Sequence, residues 1–161
     1  MRKVSRALVT AVITSVMLTG ASGVAQATES SPTPFKTGTA DAPISITADG
    51  NFYALVYYYN IIVDGFFNAG NDDRWPDGVR NRADWVRNNG YPGGRDHVNI
   101  YWGSYYTGAY ACIGPGTSWD LREGWQRFNW VLDGDYRGYW ELVRDNAASH
   151  RWVHYCGNNT W

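Results

Sequence analysis

The side chains best suited to chemistry fall into a few small sets. His150 and His154 stand four apart, an interval that brings two imidazoles onto one metal ion when the segment is a helix. The run from Ser149 to Tyr155 reads instead as a strand, on which four residues span about 13 Å and the pair cannot chelate together. His150 is therefore expected as a surface or partly buried histidine. Asp72/Asp73 and Asp133/Asp135 could supply the two carboxylates of glycoside hydrolysis. Both pairs lie among turn formers, where Asp serves local hydrogen bonding. The chain has no Gly-x-Ser-x-Gly, His-Glu-x-x-His or glycine-rich phosphate loop. No catalytic residue is assigned, no cofactor is required, and an enzyme is not expected.

Cys112 and Cys156 are the only cysteines. In an exported chain they form a disulfide by default, a catalytic thiol being the alternative. Closing about 45 residues, the bridge contributes about 4 kcal/mol in the chain-entropy model. Export is read from the N-terminus. Arg2, Lys3 and Arg6 form a basic start, Ala7 to Leu18 is apolar, and Ala25-Gln26-Ala27 offers a cleavage site. Residues 1–27 are thus expected as a signal peptide and the protein as secreted. The apolar run falls short of the roughly 20 residues of a membrane span, so no membrane partner is expected. Three of the 14 basic residues and none of the 15 acidic ones lie in this leader, leaving an acidic excess of about four. That balance argues against nucleic acid, although Arg74, Arg80, Arg82 and Arg87 could form a local basic patch.

These side chains need a scaffold, and the composition names its class. Aromatics make up 16% of the chain and all fall after the leader, while Leu and Lys are scarce, which points to one all-β domain. Residues 28–43, rich in Ser, Thr and Pro, read as a flexible lead-in, and residues 44–161 as the domain. Strands are expected within Ile44–Tyr59, over His97–Trp102, Ala109–Ile113, Tyr136–Val143 and Ser149–Tyr155. Arg80–Arg87 could be a short helix or a strand, and Ser118–Asp135 is the least regular stretch. Most aromatic rings should fill the core. Trp75, Trp119, Trp125 and Trp161 lie in turns or at the terminus, where exposed rings could stack on carbohydrate or anchor a protein partner.

The chain also repeats itself. Tyr58 to Gly65 and Tyr101 to Gly108 follow the same seven-residue step, and tails at Asn81–Val86 and Asn146–Val153 match in turn. Gly at the end of the step suits a sharply folded hairpin, with Tyr106 two residues before it in the second copy. The spacing Tyr101-x4-Tyr106-x-Gly108, a serine at Ser118 and the tail Asp145-Asn146-Ala-Ala-Ser149 resemble the Greek-key motif of the βγ-crystallins. The first copy keeps Tyr58, Gly65 and Asn81, with Val63 in the second aromatic slot.

The resemblance implies two Greek-key motifs, at about residues 44–90 and 95–157, forming one βγ-crystallin-like sandwich. It also implies calcium ligands in the tails: Asp145, the Ala147 carbonyl and Ser149 in one loop, Asn81 and Asp84 in the other. Arg80, Trp85 and His150 depart from that pattern. Within the fold, Tyr106-Thr-Gly-Ala, Cys112 to Gly116 and Asn146 to Trp152 are similar to small secreted actinobacterial metalloproteinase-inhibitor-type proteins. That likeness implies a secreted protease as partner. It also implies two disulfides, and this chain can form one. The function expected is that of a secreted, non-enzymatic binding protein that blocks a secreted metalloprotease; the alternatives are a calcium-binding or structural module and a carbohydrate- or cell-wall-binding, toxin-like module.

Overall fold

The computed structural model describes residues 47–157 and a two-residue strand, Thr33–Pro34. The expected signal peptide, most of the 28–43 lead-in and Trp161 lie outside the described residues. Eight strands follow in order: β1 (Thr33–Pro34), β2 (Asn51–Tyr58), β3 (Ile61–Asn68), β4 (Trp85–Asn89), β5 (His97–Tyr101), β6 (Tyr110–Ile113), β7 (Ser118–Asp120) and β8 (Ser149–Val153). Among the described residues, helical backbone is confined to two 3-10 turns, Ser104–Tyr106 and Leu121–Glu123. The class is all-β. No described helix is long and apolar enough to cross a membrane.

The strands form two antiparallel sheets, in the orders β1-β3-β2-β4-β7 and β6-β5-β8. Their connectivity defines two Greek keys that exchange a strand. In each motif a hairpin comes first (β2–β3, then β5–β6), and a fourth strand (β4, then β8) returns beside the first. The third strand crosses to the other motif's sheet. Thus β7 pairs with β4. In the first motif, Asp72 bridges His150 on β8, through Asp72 N–H to His150 O at 3.0 Å and the reverse bond at 2.9 Å. The exchange is equivalent in both directions: Trp75 N–H reaches Ala148 O and Leu121 N–H reaches Asp84 O.

Between the sheets lie Phe52, Phe66, Trp75, Val98, Ile100, Ile113, Leu121 and Phe128, all 0–1% exposed. Each large side chain of this kind contributes about 1.5–3 kcal/mol by leaving water. Trp75, expected among the exposed rings, is instead packed against Phe52 and Phe66 at 5.8 and 5.3 Å. His150, expected at or near the surface, is fully buried beside the same three rings. The exchanged strand explains both, because it carries Trp75 into the core directly over β8.

The register also corrects the repeat. Leu55 pairs with Trp85, and Tyr101 pairs with Ser149, so Leu55 is the true counterpart of Tyr101. Tyr58 sits at the tip of the β2–β3 hairpin, 65% exposed. Gly65 lies in the middle of β3 opposite Leu55, where a Cβ would come within 2.6 Å of the leucine side chain. Its smallness serves a close strand approach and not a hairpin fold-over. Gly108 does take the left-handed conformation, φ +79°, against Trp102 and the Arg137 carbonyl. Tyr106 meets Tyr101 edge-on at 5.6 Å. Ser118 is exposed at the start of β7, accepting from Arg87 at 3.2 Å.

Candidate functional site

The two tails are brought together, in a register one residue from that expected. Asp84 N–H donates to Leu55 O, as Ala148 N–H donates to Tyr101 O. Asn81 therefore matches Asp145, and both hold positive φ, 57° and 60°. Asp84 is 5% exposed, and its carboxylate accepts from Tyr57 N–H at 2.9 Å and from Arg144 at 3.0 and 3.1 Å. Arg144 also lies 3.6 Å from Asp145. Burial raises the Asp145 carboxyl while Arg144 opposes the rise. Ser149 Oγ donates to Gly103 O at 2.6 Å and accepts from Tyr106 N–H at 3.2 Å. A calcium ion needs several free oxygens around one point. Here a guanidinium occupies the carboxylates and loop hydrogen bonds occupy the serine, so the residues as arranged do not fit that ion. Among the described residues, no group of three or more His, Cys, Asp or Glu side chains could hold a metal.

The motifs differ most between the third and fourth strands. Trp75 and Val79 in the first motif correspond to Leu121 and Val143 in the second, all four buried. Residues 76–78 join the first pair and residues 122–142 join the second. The longer segment was expected to hold a strand over Tyr136–Val143. Residues 136–143 run instead as turns, with Gly138 at φ 74° and Trp140 at φ 68°, and within them only Leu142 forms a bridge, to Arg127. Extended pairing cannot continue through left-handed residues.

This segment is nonetheless fastened down. Phe128, 0% exposed, plugs the core, and its backbone bonds Glu141 and Trp140 at 3.0 and 2.8 Å. Trp130 exchanges two backbone bonds with Tyr110 and stacks on its ring at 6.3 Å and 19°. Asp135 accepts from Gly108 N–H and from a two-pronged Arg137, which hold its carboxyl well below the usual range. Trp102 donates to Glu141 and lies against Gly138, where a Cβ would meet the indole at 2.1 Å. Only glycine fits that position.

The fastened segment builds a cleft of about 390 Å³, lined by Trp119, Trp125, Trp130, Trp140 and Gln126 and floored by the Cys112–Cys156 disulfide. Trp125, Trp130 and Trp140 are 61%, 42% and 60% exposed. Two of the rings have local side-chain partners: Trp125 Nε1–H donates to Glu123 at 2.7 Å and Trp130 stacks as described, while Arg127 holds the Trp140 backbone carbonyl at 3.0 Å. Rigid aromatic faces beside polar groups are what recognition of a small ligand requires, and the volume lies in the usual range for such sites.

Of the rings singled out in sequence, Trp119 and Trp125 line this cleft. Trp130, Trp140 and Gln126 were not singled out. The available signal was the tryptophan density in a segment with no counterpart in the first motif. The Asp133/Asp135 and Asp72/Asp73 pairs do structural work: Asp135 ties the segment to Gly108, and Asp72 bridges β8. A second cluster of exposed apolar side chains, Tyr58, Tyr59, Ile61 and Val63, tips the β2–β3 hairpin.

No protein-family model matches the chain, and no curated protein matches it. A solved structure described as "Evolution of the eye lens beta-gamma-crystallin domain fold" is similar at 17% identity and a TM-score of 0.47. The similarity covers 78% of this chain and 99% of that one. The two Greek keys and their strand exchange rest on the hydrogen-bond ladders described above.

Proposed function

We propose that the protein is a non-catalytic carbohydrate-binding module that acts outside the cell, with the tryptophan cleft of residues 121–142 as its binding surface. The supporting observation is the set of three part-exposed indoles gathered around one cleft. A pyranose ring carries an apolar C–H face that lies flat on an indole, while its rim of hydroxyls needs polar neighbours. The cleft offers both. Rings that have partners before binding, as Trp125 and Trp130 do, lose little freedom on binding, which favours affinity. The acidic excess of the chain disfavours nucleic acid, the other polymer that stacks on aromatic platforms. A pull-down on insoluble cellulose, chitin and peptidoglycan tests the reading. Retention of the wild type on at least one polymer, lost in Trp125→Ala/Trp140→Ala, is expected; wild-type protein left in the supernatant on all three contradicts it.

Blocking of a secreted metalloprotease is the second reading, and one feature favours it. The β2–β3 hairpin projects Tyr58, Tyr59, Ile61 and Val63 from a tight turn, with Tyr59 at φ 55°. A rigid apolar tip suits an enzyme's substrate groove. Titration of a thermolysin-like protease with the protein tests it. Undiminished cleavage at excess protein would remove this reading.

A further inference from the structure

We infer that the ligand of the tryptophan cleft is a polysaccharide whose sugars carry free vicinal hydroxyls, and that Gln126 is the residue that reads them. The inference rests on the glycan-binding reading above and goes beyond it to the ligand's chemistry.

Gln126 lines the cleft yet is only 5% exposed. Neither Oε1 nor Nε2 has a hydrogen-bond partner within the protein, and both atoms are closed off from solvent. The backbone of the same residue is used, accepting from Val143 N–H at 3.0 Å. The idle group is therefore the side-chain amide alone. An unpaired buried amide is among the costlier defects a fold can carry, and a leucine or methionine would fill the space without that cost. An amide kept at this position, beside exposed indoles, fits a group that a ligand completes.

The geometry of a primary amide selects that ligand. Its oxygen and its NH2 lie on one edge, so it accepts and donates side by side. Adjacent equatorial hydroxyls of a pyranose meet this edge together, one hydroxyl donating to Oε1 and the other accepting from Nε2. A 2-acetamido sugar lacks one of those hydroxyls. Its N–H can still donate to Oε1 beside an accepting O3 hydroxyl, but the acetyl group then has to enter beside a residue that is only 5% exposed, and its bulk sets it at a disadvantage to the diol. Gln126 lines the cleft, so a small shift of its own side chain brings the amide edge to a bound sugar.

The test is calorimetric titration of the oxidised protein with soluble hexaoses of β-1,4-linked glucose, xylose and N-acetylglucosamine. Wild type should bind at least one of the diol-bearing hexaoses about tenfold or more tighter than the acetamido hexaose. Gln126→Met should erase that preference, and without ligand it should melt a few degrees higher, because the unpaired amide is gone. Gln126→Leu serves as a second substitution of different shape. Trp125→Ala should weaken every hexaose alike. A Gln126→Met protein that keeps the wild-type preference overturns the inference and leaves the glycan reading standing. So does a wild type that prefers the acetamido hexaose. A lower melting temperature in both Gln126 variants shows the amide satisfied without ligand, and also overturns it. If wild type binds no hexaose and no insoluble polysaccharide, both readings fall together.

Discussion

His150 should make this protein sensitive to mild acid. Its ring is fully buried, with Nδ1 accepting from Trp75 Nε1–H at 2.9 Å and Nε2–H donating to Gly70 O at 3.0 Å. An indole can only donate and a carbonyl can only accept, so these partners fix the neutral tautomer. Burial pushes the pKa down from 6.5 to about 3, with the Gly70 bond acting weakly the other way. The unfolded chain then takes up a proton near pH 6.5 that the folded protein refuses until about pH 3. Stability is complete above pH 6.5 and falls by about 1.4 kcal/mol per unit below it. From pH 7.5 to 4.5 the loss is about 2.5 kcal/mol, a large fraction of a typical domain's stability. Asp49, Asp96, Asp120 and Asp135 also have depressed carboxyls, but their contribution is lost only as pH falls toward and below 3.8. Urea unfolding of wild type and His150→Asn at pH 7.5, 6.5, 5.5 and 4.5, with the disulfide intact, isolates the effect. Asn keeps an acceptor for Trp75, so the variant should start less stable and show a much flatter pH dependence. Parallel curves for the two proteins would refute the argument.

Three further outcomes follow from particular contacts. Arg144→Ala strips the cation from the nearly buried Asp84 carboxylate and should cost about 1–2 kcal/mol, allowing for the half-exposed arginine. A double-mutant cycle with Asp84→Ala should recover part of that cost, and a coupling near zero would count against the pair. Phe128→Ala removes the plug of the 122–142 segment and should cost about 3–5 kcal/mol in chemical denaturation. Limited proteolysis should then cut first within that segment. Cys112→Ser opens a bridge spanning 44 residues and should cost about 4 kcal/mol, read as a lower melting temperature.

The scaffold was largely legible in the chain because strand signals are local. His97–Tyr101 and Tyr110–Ile113 fall where period-two alternation and turn residues place them. The Cys112–Cys156 bridge follows from counting cysteines in a chain read as exported. The first copy of the repeat misled, because letter spacing aligned Tyr58 with Tyr101 while the ladder aligns Leu55 with it. Register depends on which partner strand arrives, and that is a tertiary fact. Burial of Trp75 and His150 was hidden for the same reason: the exchanged strand that covers them comes from the other motif. The cleft was half legible. Trp119 and Trp125 could be singled out as turn tryptophans, but Trp140 owes its exposure to a left-handed backbone inside a run that reads as strand. Gln126 has no sequence signature, since nothing in its neighbours reveals that its amide would be left without a partner.

The central claim is that the tryptophan cleft, and not another apolar surface, meets the ligand. Hydroxyl-radical footprinting of the oxidised protein, with and without the polysaccharide it retains, tests that most directly. Protection should fall on Trp125, Trp130 and Trp140, with Tyr58 and Tyr59 labelled equally in both states. Protection at the Tyr58–Tyr59 hairpin with the cleft tryptophans unchanged would contradict the account.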